Sequence, residues 1–316
     1  MVLLRYQHVS KRTGLLLIVL SAGRLGNQLF MLAAALQISE IRKKRVILLL
    51  DDRQLVSVFK KAQNGNPLKI KFLASKKINR WLSRAIGKLD LLSEKKLALK
   101  YSIAQKFKTV ENNEGFPATL LEEGTKLPWI LSGFFQDNAL VEGLGIRSQE
   151  FISLVLANDE TKFDLEIKNK KLIGVHIRRG DYINIPQYGV LSIEYYNKAI
   201  ETINVDQAKY LVASDDSKVF DLITFKESAE FVSPDFNSPL KTLKTLAACN
   251  YLIMSNSSFS FWAGWMVAKN GGKVYAPDPW FKEAIVPNNH LNLEKFIRIP
   301  SIFEENLRDE SQKSTQ

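Results

Sequence analysis

Apolar residues along this chain fall into two alternating rhythms. Short continuous runs at 14–20, 45–50, 171–177, 209–213, 251–254 and 273–276 read as strands. Stretches with helical spacing lie between or after them, at 29–43, 193–203, 218–225, 239–249 and 259–268, with a further short strand at 229–232. Continuous apolar strands alternating with helices predict parallel sheets covered on both faces. The first strand, a glycine-bearing loop at 22–28, the alanine-rich helix and the second strand form one βαβ unit. Residues 59–108 read as largely helical with a loop at 63–67, 115–128 as connecting structure, and 128–135 as another apolar segment. The polar tail 304–316 lacks an apolar face and is expected to be disordered. At 316 residues the chain suits two α/β domains rather than one small core.

Polar clusters follow the strands, and in a doubly wound sheet the carboxyl ends of the strands share one edge, where ligands bind. Four clusters therefore converge. Strand 171–177 runs through His176 into Arg178, Arg179, Gly180 and Asp181. Two adjacent guanidiniums there are either solvated charges or a planar fork on phosphate oxygens. Strand 209–213 ends at Ser214, Asp215 and Asp216, which either hold sugar hydroxyls or cap the next helix. Asn256, Ser257 and Ser258 precede a helix, where small hydroxyls and a helix amino terminus form an anion site or a simple cap. Gly23, Arg24, Leu25, Gly26, Asn27 and Gln28 are either a tight turn capped by Asn27 or a close backbone approach to a ligand, with Asn27 and Gln28 donating hydrogen bonds.

Composition narrows the classes. The chain is 46% hydrophobic and 24% charged, ordinary for a globular protein. A single cysteine, Cys249, excludes an internal disulfide framework, and three histidines (His8, His176, His290) leave little for a zinc site. No apolar run reaches the ~18–20 residues of a membrane span. The basic flank of 14–20 resembles a signal-peptide start, but the run passes directly into the glycine loop without a small-residue cleavage site. It reads as a buried strand, which predicts a cytoplasmic protein. There is no G-x-x-x-x-G-K-[ST] loop, no G-x-S-x-G elbow and no D-x-D, the aspartate pair many metal-dependent glycosyltransferases use. The net charge of +11 is regional: residues 59–108 hold 14 Lys/Arg against two acids, and the remainder is nearly neutral. Such a window suits a solvated helical face, a nucleic acid or an anionic membrane surface. Its aromatics form no obvious stacking platform, which disfavours nucleic acid.

Taken in order, G-R-L-G-N-Q, H-I-R-R-G-D-Y, S-D-D and N-S-S-F-S-F-W-A-G-W resemble glycosyltransferase family 11, the α-1,2-fucosyltransferases, over residues 23–265. The resemblance implies a GT-B-like α/β fold of two Rossmann-like domains with the donor in the cleft between them. Residues 1–165 would form the acceptor-side domain with its basic insertion, and 166–303 the GDP-sugar-binding domain. It implies GDP-fucose as donor, inversion at the fucose carbon, no metal, and a galactose-terminated glycan as acceptor, lipid-linked in bacterial surface polysaccharide assembly. Arg178 matches the arginine on the β-phosphate, with Arg179 beside it and His176 in the same motif. Ser257 and Ser258 match hydroxyls near the diphosphate, joined by Asn256, Gly23 and Gly26. Ser214, Asp215 and Asp216 match an acidic segment next to the donor, and Asn27 an asparagine near the acceptor and the reacting carbon. The base is open: Asp181, His176 or a phosphate oxygen of the leaving GDP. One departure concerns the nucleotide base. Members commonly carry an aspartate seven residues before the matched cysteine, where this chain has Thr242; Asp235 in the preceding loop is the candidate substitute. With a lipid-linked acceptor, the basic window would hold the enzyme on the inner face of the membrane.

Overall fold

The computed structural model describes residues 16–20, 23–64, 68–93, 107–109, 115–157, 171–231, 239–283 and 291–305. His8, His290 and Asp235, most of the loop at 63–67, residues 94–106 of the basic window and residues 306–316 of the tail lie outside these.

Two parallel sheets carry the fold. The first has the order β3-β2-β1-β5-β4, from β1 (Leu16–Leu20), β2 (Arg45–Leu50), β3 (Ile70–Ala74), β4 (Phe107–Thr109) and β5 (Ile130–Ser132). The second has the order β11-β10-β9-β6-β7-β8, from β6 (Lys171–Ile177), β7 (Ala208–Ser214), β8 (Ser228–Phe231), β9 (Tyr251–Ile253), β10 (Lys273–Asp278) and β11 (Ile297–Pro300). Counted within itself, the second sheet has the 3-2-1-4-5-6 order of dinucleotide-binding folds. Both sheets reverse winding direction beside their first strand, between β1 and β5 and between β6 and β9. This two-sheet α/β architecture is the GT-B-like arrangement expected.

The strands form where the chain is apolar on both faces: Leu172, Ile173, Val175 and Ile177 are all buried along β6, and Gly174 gives room to Leu252 and Cys249. Cys249 is free, and burial pushes its thiol up to about 12. Helix α1 (Leu25–Arg42) is buried almost all round, because its alanines let neighbours approach. Helices α2 (Arg53–Ala62), α3 (Lys76–Ser93), α4 (Asn138–Glu142) and α5 (Ile146–Leu156) complete the first half. Helices α6 (Ile193–Thr202), α7 (Pro239–Ala247) and α8 (Ser258–Lys269) pack on the second sheet. A single apolar core runs from α1 into α8: Phe30 lies 5.0 Å from Phe261 and 4.9 Å from Trp262, centroid to centroid. Aromatic pairs of this kind add about 0.5–1.5 kcal/mol each beyond their buried area, so the two sheets are joined by packing as well as by chain.

Several expected elements differ. Helix α1 begins at Leu25, so most of the glycine loop is helical, and Arg24 rather than Asn27 is its N-cap residue. The basic window is not uniformly helical. It contains β3, where Ile70 and Phe72 are buried while Lys71 and Leu73 face outward, a period of two that the lysines disguise. Residues 218–225 do not form an α-helix; Ser217–Leu222 is a 3-10 helix. The last strand is β11, beyond 273–276, and pairs parallel to β10. Glu304, placed in the disordered tail from sequence, is anchored: its N–H donates to the Val190 carbonyl at 2.8 Å.

Candidate functional site

The two points of winding reversal face each other, and the motif residues collect there. Gly23 turns out of β1 with φ of 70°, a left-handed conformation natural to glycine. A Cβ at Gly23 would sit 2.4 Å from Asn27 Nδ2. One at Gly26 would sit 2.6 Å from the backbone of Ser258 and Phe259. The two glycines therefore admit protein neighbours, a correction to the close ligand approach expected of them. Trp262 Nε1 donates to the Gly26 carbonyl at 3.0 Å. Asn27 Oδ1 accepts from Ser258 Oγ at 2.8 Å and from Gln136 Nε2 at 2.7 Å. Gln28 Nε2 folds back to the Gly23 carbonyl.

Arg178 leaves the carboxyl end of β6. Its guanidinium pairs with Asp215 at 2.5 Å and with Asp181, and stacks 5.5 Å above the Tyr182 ring. Asp215 is tightly fixed, since its other oxygen accepts from the backbone N–H groups of Arg179 and Gly180 at 2.9 and 3.2 Å. A Cβ on Gly180 would come within 2.3 Å of Asp215, so the close approach of that carboxylate requires glycine. Asp181 is different. Its side chain is 43% exposed, and its second oxygen reaches Arg24 of the opposite half at 3.4 Å. Asp215 thus orients Arg178, and Asp181 is a solvent-facing partner that an incoming anion can replace.

The remaining expected residues divide. Arg179 pairs with Asp216 at 3.2 Å and with Glu304. Burial opposes its charge, but Glu304 and Asp216 more than offset that and raise its pKa. It ties the strand end to the C-terminal segment. Asp216 also caps the 3-10 helix through the Lys218 N–H. Ser214 is buried and accepts from the Asp216 N–H, and Asn256 is buried and donates to the carbonyls of Tyr188 and Gly189. Both side chains are turned to neighbouring backbone groups, not to the donor-facing role expected of them. Ser257 caps α8 by accepting from the Phe259 N–H, as the simpler reading had it. His176 is buried against Phe259, with Nδ1 hydrogen-bonded to Ser255 and Ser260. Burial, then the neighbouring Arg178, lowers its pKa to about 3. Its neutral, enclosed ring is unsuited to act as a base. Thr242 is buried on α7.

Arg24, Gln136, Tyr182 and Glu304 join the site without having been expected there. Arg24 stands inside the glycine motif and Tyr182 ends the H-I-R-R-G-D-Y motif; Gln136 and Glu304 carry no local signal. Tyr182 donates its hydroxyl to the Asn256 carbonyl at 3.0 Å and packs 5.2 Å from Tyr188, which stacks at 4.9 Å on Phe281. Among the described residues, no group of three or more His, Cys, Asp or Glu is placed to hold a metal ion. The arrangement can bind an anion between a fixed guanidinium and a capped helix amino terminus.

The family model described as glycosyl transferase family 11 matches residues 115–286, more than half of the chain. The chain belongs to glycosyltransferase family 11. The chain is 28% identical over 183 residues to the O-antigen biosynthesis glycosyltransferase WbnK of Escherichia coli, covering 52% of this chain and 61% of that protein. It is 29% identical over 136 residues to an Escherichia coli alpha-1,2-colitosyltransferase, covering 40% of this chain and 47% of that protein. The matches therefore span less than two thirds of either relative. Among solved structures it is similar to fucosyltransferase NodZ from Bradyrhizobium (14% identity, TM-score 0.44, 79% of this chain and 92% of that one). It is likewise similar to a variant of Arabidopsis thaliana FUT1 in complex with GDP (13% identity, TM-score 0.47, 87% and 76%).

Proposed function

We propose that the protein is an inverting glycosyltransferase that moves L-fucose from GDP-fucose to the 2-hydroxyl of a galactose residue in a glycan. Family membership supports the reaction class. The observation that carries the assignment of the site is Arg178, which stands at the winding reversal of the second sheet, is oriented by Asp215 and lies across from the Asn27–Ser258 junction. As the sugar–phosphate bond breaks, charge grows on the β-phosphate and Arg178 meets it. The start of α8 adds backbone donors and the favourable end of its dipole. Diphosphate binding displaces Asp181 from Arg178, while Asp215 stays. Metal-free departure follows from fixed guanidiniums in the place of a divalent ion. With His176 enclosed, the proton acceptor is either Asp181, released from Arg178 by the diphosphate, or a phosphate oxygen of the leaving GDP.

A colitosyl donor is the second reading, favoured by the similarity to the colitosyltransferase. Hydrolysis of a panel of GDP- and UDP-linked sugars, followed by transfer to galactosides with the product linkage read by NMR, tests both readings. GDP-fucose turnover and a 2-linked product are expected. Turnover of UDP-sugars alone would overturn the donor assignment.

A further inference from the structure

Residues 53–84 contain nine Lys/Arg and no Asp or Glu, so the stretch has no acid of its own to neutralise it. The fold turns this composition into a surface. Helix α3 covers one face of the first sheet: Leu82 packs with Leu20, Leu49 and Ile130, and Asn79 donates to Asp51 at 2.7 Å. These inward contacts fix the helix's rotation. At about 100° per residue, Lys77, Arg80, Trp81 and Arg84 then fall on its outward side, and Ile78 beside Trp81 on the adjoining flank. The burial agrees, with Ile78 53% and Trp81 66% exposed. On the adjacent edge strand β3, Leu73 and Lys71 are also exposed.

We propose that this face of α3 and β3 docks on an anionic lipid bilayer. Exposed Ile, Leu and Trp flanked by cations form the pattern of a helix lying in the membrane interface, with the indole at the headgroup level and the basic side chains at lipid phosphates. Complementary charge selects the occupant. A nucleic acid would answer the cations but leave Ile78 and Leu73 without an apolar phase. Among the described residues no helix is long and apolar enough to cross a membrane. The inference does not rest on the reading of the catalytic site.

Vesicle co-sedimentation of the full chain tests it, with phosphatidylcholine alone and with phosphatidylcholine mixed with phosphatidylglycerol. Binding is expected only to the mixed vesicles, weakening as salt rises. The K77S/R80S/R84S variant should bind more weakly by roughly fivefold per charge removed. The I78S/W81S variant should also lose binding while unfolding at the same temperature as the parent. Brominated lipid should quench tryptophan emission in the parent and much less in W81F. Equal binding to neutral vesicles, no binding, unchanged binding by the charge variant, or capture of a poly(U) oligonucleotide in place of vesicles would each overturn the proposal.

Discussion

Ser258 donates a 2.8 Å hydrogen bond to Asn27, a residue 231 positions earlier in the chain. One lies at the start of α8 beyond β9, the other in the first turn of α1 beyond β1. The bond joins the winding reversals of the two sheets, and Gly26 lies directly beneath it, with no room for a side chain against Ser258 and Phe259. Relative placement of the two halves of the site is therefore set by backbone contact.

A methyl group at position 26 should wedge this junction open. Gly26→Ala is expected to lower unfolding free energy by about 1–3 kcal/mol, the usual cost of overpacking. Urea denaturation measures it. A variant as stable as the parent would show that the junction yields without strain.

Asp181 and Asp215 touch the same guanidinium but should respond in opposite ways. Asp181→Asn removes an exposed competitor of phosphate, so GDP should bind a few-fold more tightly. Asp215→Asn removes the group that orients Arg178 and accepts from two backbone N–H groups, so GDP affinity should fall about tenfold or more. Calorimetric titration with GDP separates the two. Parallel losses in both variants would refute the division between a replaceable partner and an orienting one.

Much of this is legible in the sequence. The strand-end clusters after β6, β7 and β9 were recoverable because parallel strands are apolar on both faces and stop where polarity begins. Ser214 and Asn256 misled, since a short polar side chain at a strand end serves the neighbouring backbone as readily as a ligand. The partners of the arginines were hidden for a different reason: Glu304 reaches Arg179 from 125 residues away, and Gln136 reaches Asn27 from 109. No local pattern marks a contact set by sheet topology. Strand β3 was masked by lysines on its open face, and the start of α1 by glycines that serve close packing.

His176 makes stability depend on pH. Its pKa is about 3 in the fold and 6.5 in an ordinary setting. Between these values the unfolded chain takes up a proton that the native state refuses. Its contribution is thus complete above about pH 6.5 and is lost as pH falls toward 3, with about 2 kcal/mol gone at pH 5. Urea denaturation at neutral pH and near pH 5 should show a smaller loss in His176→Gln than in the parent. Identical losses would mean that His176 is protonated within the fold.

Fixed guanidiniums in the role of a metal ion predict that transfer survives EDTA and gains nothing from manganese. Turnover from GDP-fucose in metal-stripped buffer is the measurement. Activity lost with EDTA and restored by manganese would contradict metal-free departure of the diphosphate.

The central claim is that Arg178 takes the charge of the departing diphosphate. Arg178→Ala should remain folded by near-ultraviolet circular dichroism, because Asp215 keeps its two backbone donors. The most direct measurement is the rate of fucosyl transfer by this variant at saturating donor. A fall of about 10²–10³-fold or more is predicted; turnover close to that of the parent would contradict the account.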